Sequence, residues 1–403
     1  MRTIRLFFVP LALLTLLGCY GSDHNDYNYG PASSYVVNGI AVADIDANGL
    51  PDILGLVSTD LGGQPTQGYV SARYQMSAGS FALPPTRFGV GTGPANFVVA
   101  DINGDGRPDL VVANADDQTV TVRLADPARP GFFLPAIVLP TPGRVPLDVA
   151  VGNLAGHTDG RMDIVVAASG ANNVLVFTQT STGTFNAAMS FGVGGDPQAV
   201  TVADLDGNGQ PDIAVATTSN TVSVLLNPIL SPTFVAQTGV DYATGVQPIA
   251  IKAADLKGDG HLALLTANYG ATLNPGNQGL SVLFQGTTAG TFLPPVNYTT
   301  EYRASGLAVG ELSVTGHLDV AVACQGLPGS PGAVSVFLHD PATAGALLTA
   351  VNYAGVYGPM GVAIADMNGD GHPDLVLADG DIVVRYNSAT SPGTFGPPNF
   401  FYN

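Results

Sequence analysis

The chain has 403 residues, of which 46% are hydrophobic and only 11% charged, with 51 Gly and 30 Pro; so apolar a composition excludes a disordered chain. Its formal net charge of −18 excludes a nucleic-acid-binding surface, because the chain repels phosphates. Two cysteines, Cys19 and Cys324, exclude a disulfide framework, and Cys324, inside the apolar run Val320 to Cys324, reads as a small core residue.

The first element in chain order is a leader. Arg2 and Arg5 precede an apolar stretch from Leu6 to Leu17, too short to span a bilayer but suited to the centre of a signal peptide. Leu16-Leu17-Gly18-Cys19 resembles the lipobox of bacterial lipoproteins. That resemblance implies that residues 1–19 form a lipoprotein signal peptide whose Cys19 is acylated and becomes the new N-terminus. Each buried acyl CH₂ contributes about 0.8 kcal/mol of anchoring. The next residue is Tyr20 rather than the Asp that marks inner-membrane retention. The expected location is therefore the cell envelope, at the outer membrane or cell surface, with the lipid as the only membrane contact. Residues 20–34 are polar and turn-rich and read as a flexible tether.

Residues 35–403 are organised by one recurring segment. It is complete in Ile40-Ala-Val-Ala-Asp-Ile-Asp-Ala-Asn-Gly-Leu-Pro-Asp52 and again at 97–109, 200–212 and 362–374. Weaker copies begin at Asn153, Asp255 and Glu311. The seven starts at 44, 101, 153, 204, 255, 311 and 366 are separated by 57, 52, 51, 51, 56 and 55 residues.

Around each acidic segment lie short runs rich in Val and Ile, such as Asp109-Leu-Val-Val-Ala, Val120-Thr-Val-Arg-Leu and Val222-Ser-Val-Leu-Leu, and then a Gly-x-Phe turn such as Gly183-Thr-Phe185. These are strand signals bounded by turn residues, with no sustained 3.6-residue apolar period. Four strands per repeat, seven times, predict an all-β fold: a seven-bladed β-propeller of four-stranded antiparallel blades. A nonapeptide β-solenoid would need a period near nine or eighteen. The small residues before each loop, such as Ala41, Ala43, Ala203 and Ala365, suit crowded innermost strands. Two modes of ring closure stay open: a last blade that closes alone, or one that recruits residues 31–37.

Phe88-Gly-Val-Gly-Thr-Gly-Pro94 and Phe191-Gly-Val-Gly-Gly-Asp-Pro197 resemble the FG-GAP, or VCBS-type, repeats of bacterial surface proteins and integrin α-chain propellers. The resemblance covers nearly all of the chain beyond the tether. It implies the propeller fold and leaves the activity open.

The acidic segments follow Asp-x-Asp/Asn-x-Asp/Asn-Gly-x-x-Asp. Alternate residues of a short loop aim oxygens at one centre, and Gly at the sixth position permits the bend. Four loops are complete and predict about four calcium sites: Asp44, Asp46, Asn48 and Asp52; Asp101, Asn103, Asp105 and Asp109; Asp204, Asp206, Asn208 and Asp212; Asp366, Asn368, Asp370 and Asp374. Leu50, Arg107, Gln210 and His372 hold the seventh position, where a backbone carbonyl adds a ligand. The FG-GAP resemblance also implies calcium. The loop at 255 is expected to bind none, because Lys257 replaces a ligand and Ala263 the last Asp; Lys257 is expected to pair with Asp255 or Asp259. The loops at 153 and 311 are expected to be poor sites.

His261, His317 and His372 occupy one repeat position and read as turn residues. No HExxH, GxSxG or phosphate-loop motif occurs. The expected function is a monomeric, non-catalytic interaction module binding a protein or polysaccharide. The alternatives are a carbohydrate-active lyase or hydrolase on a propeller scaffold, and a scaffold subunit of an envelope complex.

Overall fold

A computed structural model describes residues 35–59, 67–181, 183–227, 239–270 and 278–401. The leader, Cys19 and the tether lie outside the described residues. Seven four-stranded antiparallel sheets follow one another along the chain, and no described helix is long and apolar enough to cross a membrane. The first blade comprises Tyr35–Ala43, Asp52–Thr59, Gln67–Arg73 and Thr86–Thr92, and the last Gly361–Ala365, Asp374–Asp379, Asp381–Arg385 and Asn399–Phe401. The fold class expected from the repeat is the one observed.

Burial explains the sequence of each strand. The second strands, such as Asp109–Asn114, Asp212–Thr217 and Asp374–Asp379, are buried along their whole length. A sheet between two others hides both faces, so between their polar first and last residues these strands are apolar rather than alternating. The outer strands Val240–Ala243 and Val296–Tyr298 are largely exposed and mix polar residues such as Asp241 and Asn297 with apolar ones. Six of the seven innermost strands carry a register shift near their start, for instance between Val37 and Gly39 and between Pro146 and Asp148. Such bulges strengthen the twist.

Seven apolar clusters fill the seven seams between blades. One joins Val37, Ile53 and Val57 of the first blade to Met367, Val376, Ala378, Ile382 and Val384 of the last. The last sheet is built wholly from the last repeat. The ring thus closes by face packing, with backbone bonds from Val37 N to Gly380 O (3.1 Å) and from Gly79 N to Met367 O (2.8 Å) across the same seam.

A second device repeats around the ring. The residue after each loop's first ligand position (Ile45, Ile102, Leu154, Leu205, Leu256, Leu312 and Met367) is buried. In six of the seven its carbonyl accepts a hydrogen bond from the following blade. The donors are Gly131 N to Ile45 and Met162 N to Ile102 (both 2.9 Å), Asn227 Nδ2 to Leu154 (3.0 Å), Gln285 Nε2 to Leu205, Asn387 Nδ2 to Leu312 (2.8 Å) and Gln75 Nε2 to Met367 (2.6 Å). The last of these comes from the first blade and completes the circuit.

The innermost strands surround a central channel of about 340 Å³, whose polar lining includes Asn38, Asn96, Asp148, Gln198, Lys252 and Ser305. Asp148 accepts from Asn96 Nδ2 (2.7 Å) of the second blade and Val200 N (2.9 Å) of the fourth. Burial outweighs these bonds and pushes its carboxyl from 3.8 up to about 6.

The packing yields two expectations. A Cβ on Gly306 would sit 2.8 Å from Gly361 Cα and from Met360 O, whereas one on Gly192 meets nothing within 4 Å. In urea denaturation Gly306→Ala is expected to lose about 1–3 kcal/mol, and Gly192→Ala to stay within about 0.5 kcal/mol. The raised pKa of Asp148 means that the folded chain holds its proton through the pH range, from 3.8 to about 6, in which the unfolded chain releases it. Its contribution to stability is therefore present at low pH and lost as pH rises through that window. Asp148→Asn should flatten the fall in unfolding free energy by up to about one proton's worth of slope; equal slopes in the two proteins would contradict this assignment.

Candidate metal centres

Each acidic loop joins the innermost strand of a blade to its second strand, so all seven lie at one end of the ring. The sixth-position glycines bend the chain through the left-handed region, with φ of +85° at Gly49, +82° at Gly106, +85° at Gly209 and +83° at Gly371. This lets the first aspartate collect the loop's amides. Asp101 Oδ1 accepts from Gly104 N (2.8 Å) and Asp105 N (3.1 Å), and its Oδ2 from Gly106 N (2.7 Å). Asp204 and Asp366 do the same, and Asp44 accepts from Asn48 N and Gly49 N. The seventh-position amides of Leu50, Arg107, Gln210 and His372 donate to the side chains of Asn48, Asp105, Asn208 and Asp370 at 2.7–2.9 Å.

The last aspartate behaves differently. Asp52, Asp109, Asp163, Asp212, Asp319 and Asp374 are fully buried, and each joins its own loop to the end of the third strand. Asp52 Oδ2 accepts from Ile45 N (2.9 Å) and Oδ1 from Gln75 N (2.8 Å). Asp109, Asp212 and Asp374 repeat the pair with Ile102 and Ala125, Leu205 and Asn227, and Met367 and Asn387. Sequence reasoning treated this position only as a ligand. Its structural duty could have been inferred from its survival as Asp163 and Asp319 in loops that have lost other ligands.

The four complete loops differ among themselves at the carboxylate oxygens. In the first and fourth loops, one oxygen each from Asp44, Asp46 and Asp52, and from Asp204, Asp206 and Asp212, lie within 4.8 Å of one another. The second and seventh loops have Asn103 and Asn368 at the third position and do not bring three carboxylates that close. In the second, Arg107 Nη2 also pairs with Asp105 Oδ2 at 2.6 Å, and in the seventh Asn368 Nδ2 donates to Asp370 Oδ2 at 3.1 Å. Burial, with a contribution from the neighbouring aspartates, pushes Asp52, Asp109, Asp212 and Asp374 each up to about 6. Asp46 is raised by burial and by the charge of Asp44.

Two degenerate loops supply their own donors instead. His157 Nε2 lies 2.9 Å from Asp163 Oδ1, and Ser313 Oγ donates to Asp319 Oδ2 at 2.8 Å. In the loop at 255, Lys257 does not pair with Asp255 or Asp259 as expected. Its ammonium sits 4.7 Å from the centre of the Phe284 ring, while Asp255 accepts from the amides of Gly258, Asp259 and Gly260. An exposed ion pair gains little over hydration, and the aromatic face offers a competing seat. His261 and His372 lie in turns as expected, whereas His317 also stacks on His339 at 4.2 Å. Cys324 is fully buried and its thiol is pushed up to about 12 by burial, which keeps it unreactive.

Three segments, 56–112, 158–215 and 314–377, match the family model of the FG-GAP-like repeat. Each contains one complete acidic loop. No curated protein matches the chain in sequence. Among solved structures it is similar to BBS1N, described in complex with ARL6DN (14% identity, 87% of this chain and 90% of that one, TM-score 0.51). It is also similar to a Lactobacillus plantarum protein (16%, 81% and 86%, 0.52). A third is a Bacteroides fragilis NCTC 9343 protein with the provisional name 6-phosphogluconolactonase (13%, 92% and 100%, 0.56). At these identities the likeness concerns the fold alone.

Asp319→Ala would strip the acceptor from the amides of Leu312, Ser313 and His339. The expected loss is about 3 kcal/mol or more, since each orphaned buried donor costs roughly 1–3 kcal/mol. Urea denaturation should give the same loss in calcium and in chelator; a loss confined to calcium would make Asp319 a ligand instead.

Proposed function

The chain is a seven-bladed β-propeller of FG-GAP-like repeats, and from that premise we propose that it is a calcium-braced interaction module of the cell envelope. Propellers of this kind serve as interaction or scaffold modules, and BBS1N, of similar fold, is described in complex with another protein. The partner proposed here is a protein or a polysaccharide. Residues 20–34 would tether the ring to an acylated Cys19.

One observation carries the calcium reading. The carboxylates of Asp44, Asp46 and Asp52, and of Asp204, Asp206 and Asp212, converge without a cationic side chain of the described residues pairing with them. Two degenerate loops, by contrast, answer their last aspartate with His157 or Ser313. The donors are hard, charged oxygens, the chemistry that suits calcium. Asp44, Asp46, Asn48 and Asp52 would hold one ion and Asp204, Asp206, Asn208 and Asp212 a second, with the carbonyls of Leu50 and Gln210 available to each. The corresponding residues of the loops at 101 and 366 would hold two more. A bound ion supplies charge neutralisation; the loop residues hold the turn.

A site with a dissociation constant near 10 μM in about 1 mM calcium stabilises the fold by about 2.7 kcal/mol. For a chain of this size that is on the order of 3 °C per site. Calorimetry is expected to show the melting temperature falling by that amount per site on chelation, and Asp46→Ala with Asp206→Ala is expected to remove about half of the response. Melting that ignores the chelator would end the calcium reading.

A further inference from the structure

The end of the ring opposite the acidic loops carries an arginine–tyrosine cluster at the seam of the fifth and sixth blades. Tyr269 follows the strand Ala263–Asn268, Tyr302 and Arg303 precede the innermost strand Ala304–Gly310, and Gln325 follows the strand Asp319–Cys324. Arg303 adopts φ of +58°, a left-handed backbone unfavourable for a residue with a Cβ. It is held there by Gln325 N donating to Arg303 O and Gly326 N to Tyr302 O, both at 3.1 Å.

The guanidinium carbon lies 5.6 Å from the centre of the Tyr269 ring. Tyr269 OH donates to Gln325 Oε1 at 3.2 Å, which fixes that ring. Arg303 Nε is buried without a hydrogen-bond partner, and the guanidinium makes no hydrogen bond or ion pair with the described residues. The neighbouring carboxylate, Glu301, accepts instead from Asn352 Nδ2 at 2.9 Å. Tyr302 beside it is 39% exposed.

Gln247 makes the same turn one blade earlier, with φ of +58° and its carbonyl accepting from Tyr269 N, so the backbone belongs to the repeat; what sets Arg303 apart is an under-used cation on a tyrosine face next to the exposed Tyr302. A guanidinium fork matches a planar carboxylate in two parallel bonds. Tyrosine rings offer flat apolar faces with a polar tip, which suit the C–H face and hydroxyls of a pyranose. We propose that this cluster binds an oligosaccharide containing uronic acid, with Arg303 on the carboxylate and Tyr302 against a sugar ring. The inference rests on the interaction-module reading and names its partner class. The acidic loops do not oppose it, because they lie at the far end of the ring and charges beyond about 8 Å are largely screened at physiological salt.

Calorimetric titration of the calcium-loaded protein with a hyaluronan hexasaccharide, and with chitohexaose as the uncharged comparator, tests this. The wild-type protein is expected to bind the acidic hexamer and not the neutral one. Arg303→Ala and Tyr302→Ala should each weaken binding at least tenfold. Arg303→Gly, which relieves the left-handed backbone and keeps the fold, should lose binding equally, and Arg144→Ala, elsewhere on the same end, should not. No binding of the acidic hexamer, equal binding of both hexamers, or wild-type affinity in Arg303→Gly would each overturn the site. Those outcomes leave the calcium reading standing, since that reading is judged by the melting response to chelation.

Discussion

A carboxylate taken out of water is tolerated only where donors meet its oxygens, and this ring repeats that arrangement at the root of six of its seven acidic loops. Asp52, Asp109, Asp163, Asp212, Asp319 and Asp374 are all fully buried, and backbone amides reach both oxygens of each. The loop is therefore framed from behind by the protein itself. In front, the first and fourth loops bring three carboxylates together. His157 and Ser313 meet the last aspartate of two degenerate loops and Arg107 pairs with Asp105 in the second, whereas no cationic side chain of the described residues pairs with the carboxylates of the first and fourth. The proposed ions belong where the chain has supplied charge without its answer.

The same loops tie the blades together. Each plugs its seam with the buried residue that follows its first ligand position, and in six cases hands that residue's carbonyl to the next blade. A sheet in this ring has no stable face of its own, because each seam core is shared by two blades. Closure follows the same rule, since the first and last blades meet through an ordinary seam rather than through an exchanged strand. Bracing a loop thus bears on two blades at once, which couples a local ion to the integrity of the ring. At the opposite end stand the exposed Tyr302 and the under-bonded Arg303.

The repeat made the architecture legible, because a period of fifty-odd residues with strand chemistry has few closed solutions. Small residues such as Ala41 and Ala203 marked the innermost strands, and the departures at Asn153, Asp255 and Glu311 marked the degenerate loops. Other features were not legible. A recurring Asp records that a carboxylate is needed but not which way its oxygens face, so the amide-bridging duty of Asp52 and its counterparts was missed. Gln75, Asn227, Gln285 and Asn387 recur after the third strands, yet their partners lie in another repeat and only the closed ring brings them together. The pairing assigned to Lys257 failed because it weighed charge without the neighbouring Phe284 ring. The left-handed backbone of Arg303 has no sequence signal, since arginine seldom adopts it.

Calcium stoichiometry, measured by equilibrium dialysis and elemental analysis on chelator-stripped chain lacking residues 1–18, bears most directly on the division between complete and degenerate loops. About four ions per chain are expected, falling by one in Asp46→Ala and by one in Asp206→Ala. A chain that takes up no calcium, or one that keeps its full complement after both substitutions, would contradict it.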